Sequence, residues 1–181
     1  WQKQGCGLYA VVNHGGNTTT EITAYTALFV EWDDRPRTEQ ITLWKALGLP
    51  RPSFHVDTQG KSIHNYWVLN QPASVQLWVD VMDRLIMHCG SDPACKGASR
   101  VMRLPGSHYI DCNGDSRGIV QIINATEEKY LIEDFDALLR PTAESTCPNP
   151  APVWHGQKPI TLQEIAGALS CNPRRAAGIN S

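Results

Sequence analysis

The sequence predicts an α+β domain, and three observations carry the prediction. Short apolar runs rich in aromatic and β-branched residues are bounded by Gly, Asn and Pro turn signals. Two of these runs flank a tight turn as a hairpin. They are interspersed with segments whose apolar residues recur every three or four positions, and no internal repeat is present.

Residues 8–13 (LYAVVN) read as a strand ending in the turn His14-Gly15-Gly16-Asn17. Residues 25–30 (YTALFV) form a second strand that runs straight into Glu31-Trp32-Asp33-Asp34. Pro36 suits a first helical position, and Ile41, Leu43, Trp44 and Leu47 continue an amphipathic helix to Gly48. Residues 53–58 and 62–69 make the hairpin, turning at Gln59-Gly60-Lys61. In its second strand Ile63, Asn65, Trp67 and Leu69 share one face, and Ser62, His64, Tyr66 and Val68 share the other.

Pro72 is expected to open the clearest helix, with Val75, Trp78, Val79, Met82 and Ile86 on one side and Gly90 as its stop. Residues 99–104 and 108–112 read as strands around Pro105-Gly106, and residues 119–123 as another after Asn113-Gly114. Residues 130–139 read as a helix. A Pro-rich linker is expected over 141–160 and a short helical extension over 161–181, the latter leading to a further module.

Of the 181 residues, 41% are hydrophobic and 19% charged, which excludes a disordered chain, a coiled coil and a collagen-like repeat. No apolar stretch is long enough to span a membrane. The first residues, Trp1-Gln2-Lys3, carry no secretory signal and no initiator Met, so a piece of a longer cytoplasmic polypeptide is expected. Net charge is −2, from 16 Lys+Arg against 18 Asp+Glu, which argues against non-specific coating of duplex DNA but leaves room for a local basic patch. Six cysteines (Cys6, Cys89, Cys95, Cys112, Cys147, Cys171) occur in a chain too large to need disulfide staples. The spacing of His88, Cys89, Cys95, His108 and Cys112 matches no standard zinc pair, so free thiols are expected rather than structural Zn²⁺.

Three features carry chemistry. Glu31-x-Asp33 places two acids on one face of a strand end, as hard divalent cations require. Gly60-Lys61-Ser62-x-His64 gives a small phosphate cradle of ammonium, hydroxyl and imidazole donors, without the second glycine and following helix of a Walker loop. Arg100 and Arg103 follow Asp92. Three residues apart on a regular strand, the two arginines would face opposite sides, so only one is expected to reach a ligand unless the strand is bulged.

Together, Phe29-Val30-Glu31-Trp32-Asp33, Ser62-Ile63-His64, and Asp92 followed by Ser99-Arg100-Val101-Met102-Arg103-Leu104 resemble the primase-polymerase branch of the archaeo-eukaryotic primase superfamily, of the plasmid or phage replicase or CRISPR-associated type. The family's acid-x-acid, Ser-x-His and Asp motifs occur here in order, 31 residues from Asp33 to His64 and 28 from His64 to Asp92. Glu31 stands where many relatives have Asp, and Ser91 precedes Asp92 where the family has an apolar residue.

The resemblance implies an archaeo-eukaryotic primase fold over residues 1–140, an RRM-like catalytic sheet packed with helices and an N-terminal α/β part. It implies a DNA primase/polymerase in which Glu31, Asp33 and Asp92 hold two Mg²⁺ or Mn²⁺ ions. Ser62, His64 and Arg103, with Arg100 and Lys61, would bind nucleotide phosphates. Single-stranded template or primer-template, dNTP or NTP, and a helicase are the implied partners, and a membrane is not. Asp57 and Asp111 rank below Asp92 as metal acids, and Asp80 and Asp83 are expected to face solvent. The other reading is a catalytically silent RRM-like module that stacks single-stranded bases on Tyr66 and Trp67. A rolling-circle nicking enzyme lacks its His pair here, and a nucleotide-sugar transferase gives Ser62 and His64 no role.

Overall fold

Alternating, β-branched segments pair and helix-period segments coil across residues 1–141, the part of the chain that the computed structural model describes. The strands are β1 (Tyr9–Val11), β2 (Tyr25–Val30), β3 (Phe54–Asp57), β4 (Ile63–Ala73), β5 (Val101–Arg103), β6 (His108–Ile110), β7 (Ser116–Ile119) and β8 (Gln121–Ile123). The helices are α1 (Arg37–Gln40), α2 (Leu43–Ala46), α3 (Val75–Cys89) and α4 (Ile132–Leu139). The α+β expectation holds. Residues 142–181, with nearly all of the expected linker and the C-terminal helix, lie outside the described residues.

A four-stranded antiparallel sheet in the order β2-β4-β3-β8 forms the centre, with β1-β5 and β6-β7 as separate two-stranded ribbons. β2 is almost wholly buried, which explains its unbroken apolar run. α3 starts at the cap Ser74, whose hydroxyl accepts from the Leu77 N–H at 3.4 Å, and ends at Gly90, whose φ of 56° suits a residue without Cβ. Its stripe of Trp78, Val81, Met82, Leu85, Ile86 and Cys89 is buried, packing against β2 and α4. α4 sets Phe135 edge-on to Trp67 at 5.7 Å between ring centroids.

Three fully buried tryptophans anchor this core, and each indole N–H finds a backbone carbonyl, as burial of that donor requires. Trp32 donates to Cys89 at 3.0 Å, Trp67 to Pro50 at 2.8 Å and Trp78 to Ala27 at 2.9 Å. The Trp32 bond ties the acid-bearing segment after β2 to the end of α3.

Tertiary contacts override local pattern in four places. The single helix expected from Pro36 to Gly48 is two short ones, broken at Ile41–Thr42. Gln40 is fully buried there. Its amide donates to the carbonyls of Arg35 (2.7 Å) and Lys61 (3.0 Å) and accepts from Ile63 N–H (2.5 Å), pinning the chain to the β3–β4 turn. Pro72 lies in β4 and does not open α3. Beyond Tyr66 the strand has no β3 partner, so a residue without N–H is tolerated. The strands expected over 99–104 and 108–112 shrink to the three-residue β5 and β6, which are held by distant or following partners, β5 by β1 and β6 by β7. Residues 119–123 split at Val120, which bonds through both N–H and C=O to Ser107 and Gly106 at 2.8 Å each.

Candidate active site

The register of β2 on β4 pairs Phe29 with Tyr66 and Val30 with Asn65, so the next step sets Glu31 beside His64 on the same face. Glu31 is buried, and three side chains meet its carboxylate. Ser62 Oγ donates to Oε2 at 2.9 Å, His64 Nε2 lies 3.0 Å from the same oxygen, and Arg100 donates to Oε1 at 3.0 Å. Burial alone would raise the Glu31 pKa, but His64, Arg100 and Ser62 together bring it down to about 2, so the carboxylate is ionised at neutral pH. An ionised carboxylate only accepts, so Nε2 of His64 is the donor in this pair. Its Nδ1 faces the Tyr66 hydroxyl at 3.5 Å, so both ring nitrogens are engaged within the protein.

A cleft of about 350 Å³ opens over this cluster, and Glu31, Asp33, Lys61, Ser62, His64, Arg100 and Arg103 all line it. Asp33 is exposed and has no hydrogen bond or ion pair among the described residues. Both arginines line the cleft. Arg100 precedes β5 and Arg103 ends it, so strand alternation does not separate them.

Arg103 is the cation that this fold prepares most completely. Its guanidinium lies 3.8 Å from the Tyr109 ring centroid and 5.1 Å from that of Tyr9, while Nη1 is buried without a partner. The tyrosines were not singled out from the sequence. Tyr9 sits opposite Arg103 in the β1–β5 register, a long-range pairing that no local signal announces.

Asp92 does not line this cleft. It borders an adjoining hollow together with Asp33 and Asp34. Its Oδ1 accepts from Ala94 N–H at 3.0 Å, capping a 3₁₀ turn, and its Oδ2 lies 3.3 Å from the same Arg100 nitrogen that holds Glu31. Among the described residues no three His, Cys, Asp or Glu side chains converge as a ready-made metal cage. Hard carboxylate oxygens, one buried and ionised and one exposed and unpaired, nevertheless suit a small divalent cation.

The lower-ranked acids are occupied elsewhere. Asp57 pairs with Arg37, and Asp111 caps its own turn and pairs with Arg117 at 2.5 Å. Asp80 and Asp83 are exposed. Cys6, Cys89, Cys95 and Cys112 are free thiols, and burial pushes those of Cys89 and Cys95 up to about 12. Tyr66 and Trp67, the stacking candidates of the binding-module reading, are 6% and 0% exposed and offer no open ring face. That part of the expectation is corrected, because both rings are used in packing.

No family model matches the chain, and no curated protein does. Among solved structures, the AEP domain of the primase-polymerase of cyanophage S-2L is 42% identical to it, covering 74% of this chain and 70% of that one with a TM-score of 0.70. The primase RepB′ shares the fold at 16% identity and a TM-score of 0.50, over 64% of this chain and 41% of that one. The acid-x-acid, Ser-x-His and Arg positions that carried the resemblance in the sequence are gathered around one cleft. The chain therefore belongs to the primase-polymerase branch of the archaeo-eukaryotic primase superfamily.

Proposed function

We propose that this domain transfers nucleotides onto a DNA or primer end under the direction of a single-stranded template, as a DNA primase/polymerase. The observation that supports this most is a single cleft with carboxylates Glu31 and Asp33 on one part of its wall and the stacked, unpaired Arg103 with Lys61 on another. A nucleoside triphosphate is polyanionic and travels with divalent metal, so its recognition calls for both kinds of wall at once.

Glu31 and Asp33, with the Asp92 oxygen now on Arg100, are the groups that would hold Mg²⁺ or Mn²⁺. When bound, the ions would make the attacking hydroxyl more acidic and neutralise charge on the triphosphate and the leaving pyrophosphate. Arg103 holds phosphate oxygens in a fixed plane because Tyr109 and Tyr9 leave its guanidinium few other orientations. Lys61, on the hairpin turn, adds a mobile positive charge. Ser62 and His64 act on Glu31, since their donors already meet its Oε2. They are assigned here as positioning residues, in place of the direct phosphate contact expected from the sequence.

The test is incorporation of labelled nucleotides on a single-stranded template with Mg²⁺ or Mn²⁺, with and without an annealed primer. Template-dependent products that vanish in Asp33→Ala support the reading. A folded wild-type domain that makes no product on either template rejects it in favour of the silent binding module.

A further inference from the structure

The β3–β4 register pairs Val56 with His64 and His55 with Asn65, so His55 lies on the face of the central sheet opposite the acid cleft. A second cleft of about 450 Å³ opens there. His55 lines it at 2% exposure, and neither ring nitrogen has a hydrogen-bond partner. The Ile41 carbonyl and the Asn65 side chain lie near the ring without reaching bonding geometry. A buried imidazole left unpaired beside the equally unpaired Asn65 Oδ1 is costly for the fold alone, and the exposed cations around it supply the second reason to look for a ligand here.

The rest of the wall defines the ligand's chemistry. Lys45 and Arg51 are exposed, neither forms an ion pair among the described residues, and no carboxylate lines the cleft. Trp44 spends its indole N–H on the Ile41 carbonyl at 3.0 Å, which leaves the ring face, with Lys45 Nζ 5.4 Å from its centroid. Asn124, just after β8, adds an exposed carboxamide.

We propose that this cleft binds one nucleotide unit of a single-stranded nucleic acid, with phosphate on Lys45 and Arg51, the base on the Trp44 face and the base edge at His55 and Asn124. Burial and the nearby Arg51 charge lower the His55 pKa, so the ring is neutral and offers one donor and one acceptor to a base edge. A free triphosphate fits poorly, because no carboxylate is present to carry its metal. An acidic peptide would use the cations but neither the indole face nor the imidazole. The identity of the strand as template rests on the function proposed above; the site itself does not.

The experiment uses the 181-residue chain and a short fluorescein-labelled oligodeoxythymidine, read by anisotropy over a salt series. In Lys45→Gln/Arg51→Gln, affinity should fall roughly tenfold and the salt slope by about 0.7, the share of the one single-strand phosphate that the two cations hold. Binding of a fluorescent deoxynucleotide with Mn²⁺ and the melting temperature should stay at wild-type values. An oligonucleotide carrying 5-iododeoxyuridine should photocrosslink to the peptide bearing Trp44. Affinity within twofold of wild type, crosslinks confined to the cleft of Glu31, or equal displacement by polyglutamate would overturn the proposal. Wild-type protein that crosslinks at Trp44 yet incorporates no nucleotide would reject the polymerase reading and leave this site standing.

Discussion

Asp92 donates its backbone N–H to the carbonyl of Glu31 at 3.1 Å, which fastens the loop after α3 to the end of β2. Across that join, one Arg100 nitrogen bridges the two carboxylates at 3.0 and 3.3 Å. A guanidinium thus stands between the two acids proposed to share divalent metal.

Arg100→Ala should therefore tighten Mn²⁺ binding in the absence of nucleotide and weaken binding of the triphosphate. One charge-assisted hydrogen bond is worth about 1.5–3 kcal/mol, so a change of at least tenfold in each is expected. Calorimetric titration of Mn²⁺ and of nucleotide on the same preparation measures both. Unchanged Mn²⁺ affinity would show that Arg100 does not compete with the ion.

Asp33→Ala should abolish incorporation and leave the melting temperature within about 2 °C of wild type. The side chain is exposed and has no partner among the described residues, so its loss removes the proposed metal ligand and little else. Wild-type incorporation by the folded variant would remove the acid-x-acid pair from the chemistry.

His64→Ala should lower both stability and kcat while leaving the nucleotide KM within about twofold. The ring is buried, donates to Glu31 and meets Tyr66, so its removal leaves a buried carboxylate short of a partner at a cost of roughly 1–3 kcal/mol. His64→Gln, which keeps an N–H donor, should recover part of the kcat. A large rise in KM with unchanged kcat would instead make His64 a direct phosphate ligand.

Arg103→Lys keeps the charge and loses the plane that stacks on Tyr109. The nucleotide KM should rise on the order of tenfold, because an ammonium on a flexible stem cannot reproduce a fixed fork. Steady-state kinetics on a primed template measure it, and a KM equal to wild type would dissociate the tyrosine stack from nucleotide binding.

A pH prediction concerns the α3–α4 joint, away from the cleft. Arg84 first, then Arg140, hold the Asp136 carboxyl below its ordinary pKa. A depressed folded-state pKa contributes stability above the unfolded value of about 3.9, and that contribution is lost as pH falls through the folded value. Asp136→Asn should thus melt a few degrees below wild type at neutral pH, with the gap closing below about pH 4. A gap that persists unchanged into acid would assign the loss to packing instead of charge.

The chain's local pattern was enough for the α+β class, the span of β2, the hairpin with its two faces, and the end of α3 at Gly90. These follow from side-chain periodicity and turn chemistry, which act over a few residues. The acid pair, Ser62-x-His64 and the arginines could be picked out as candidates from residue type and spacing, and the structure sets them around one cleft.

Tertiary structure alone decided how those groups meet. Glu31 and His64 are far apart in sequence, and only the β2–β4 register makes one the partner of the other. The same holds for Tyr9 against Arg103, for Gln40 breaking a helix to bind the hairpin turn, and for Arg100 reaching the cleft beside Arg103. It holds too for His55, whose missing partner shows only when the sheet is covered. Hydrogen bonds and stacking between distant segments depend on closure of the fold, and no local pattern encodes where that closure will place them.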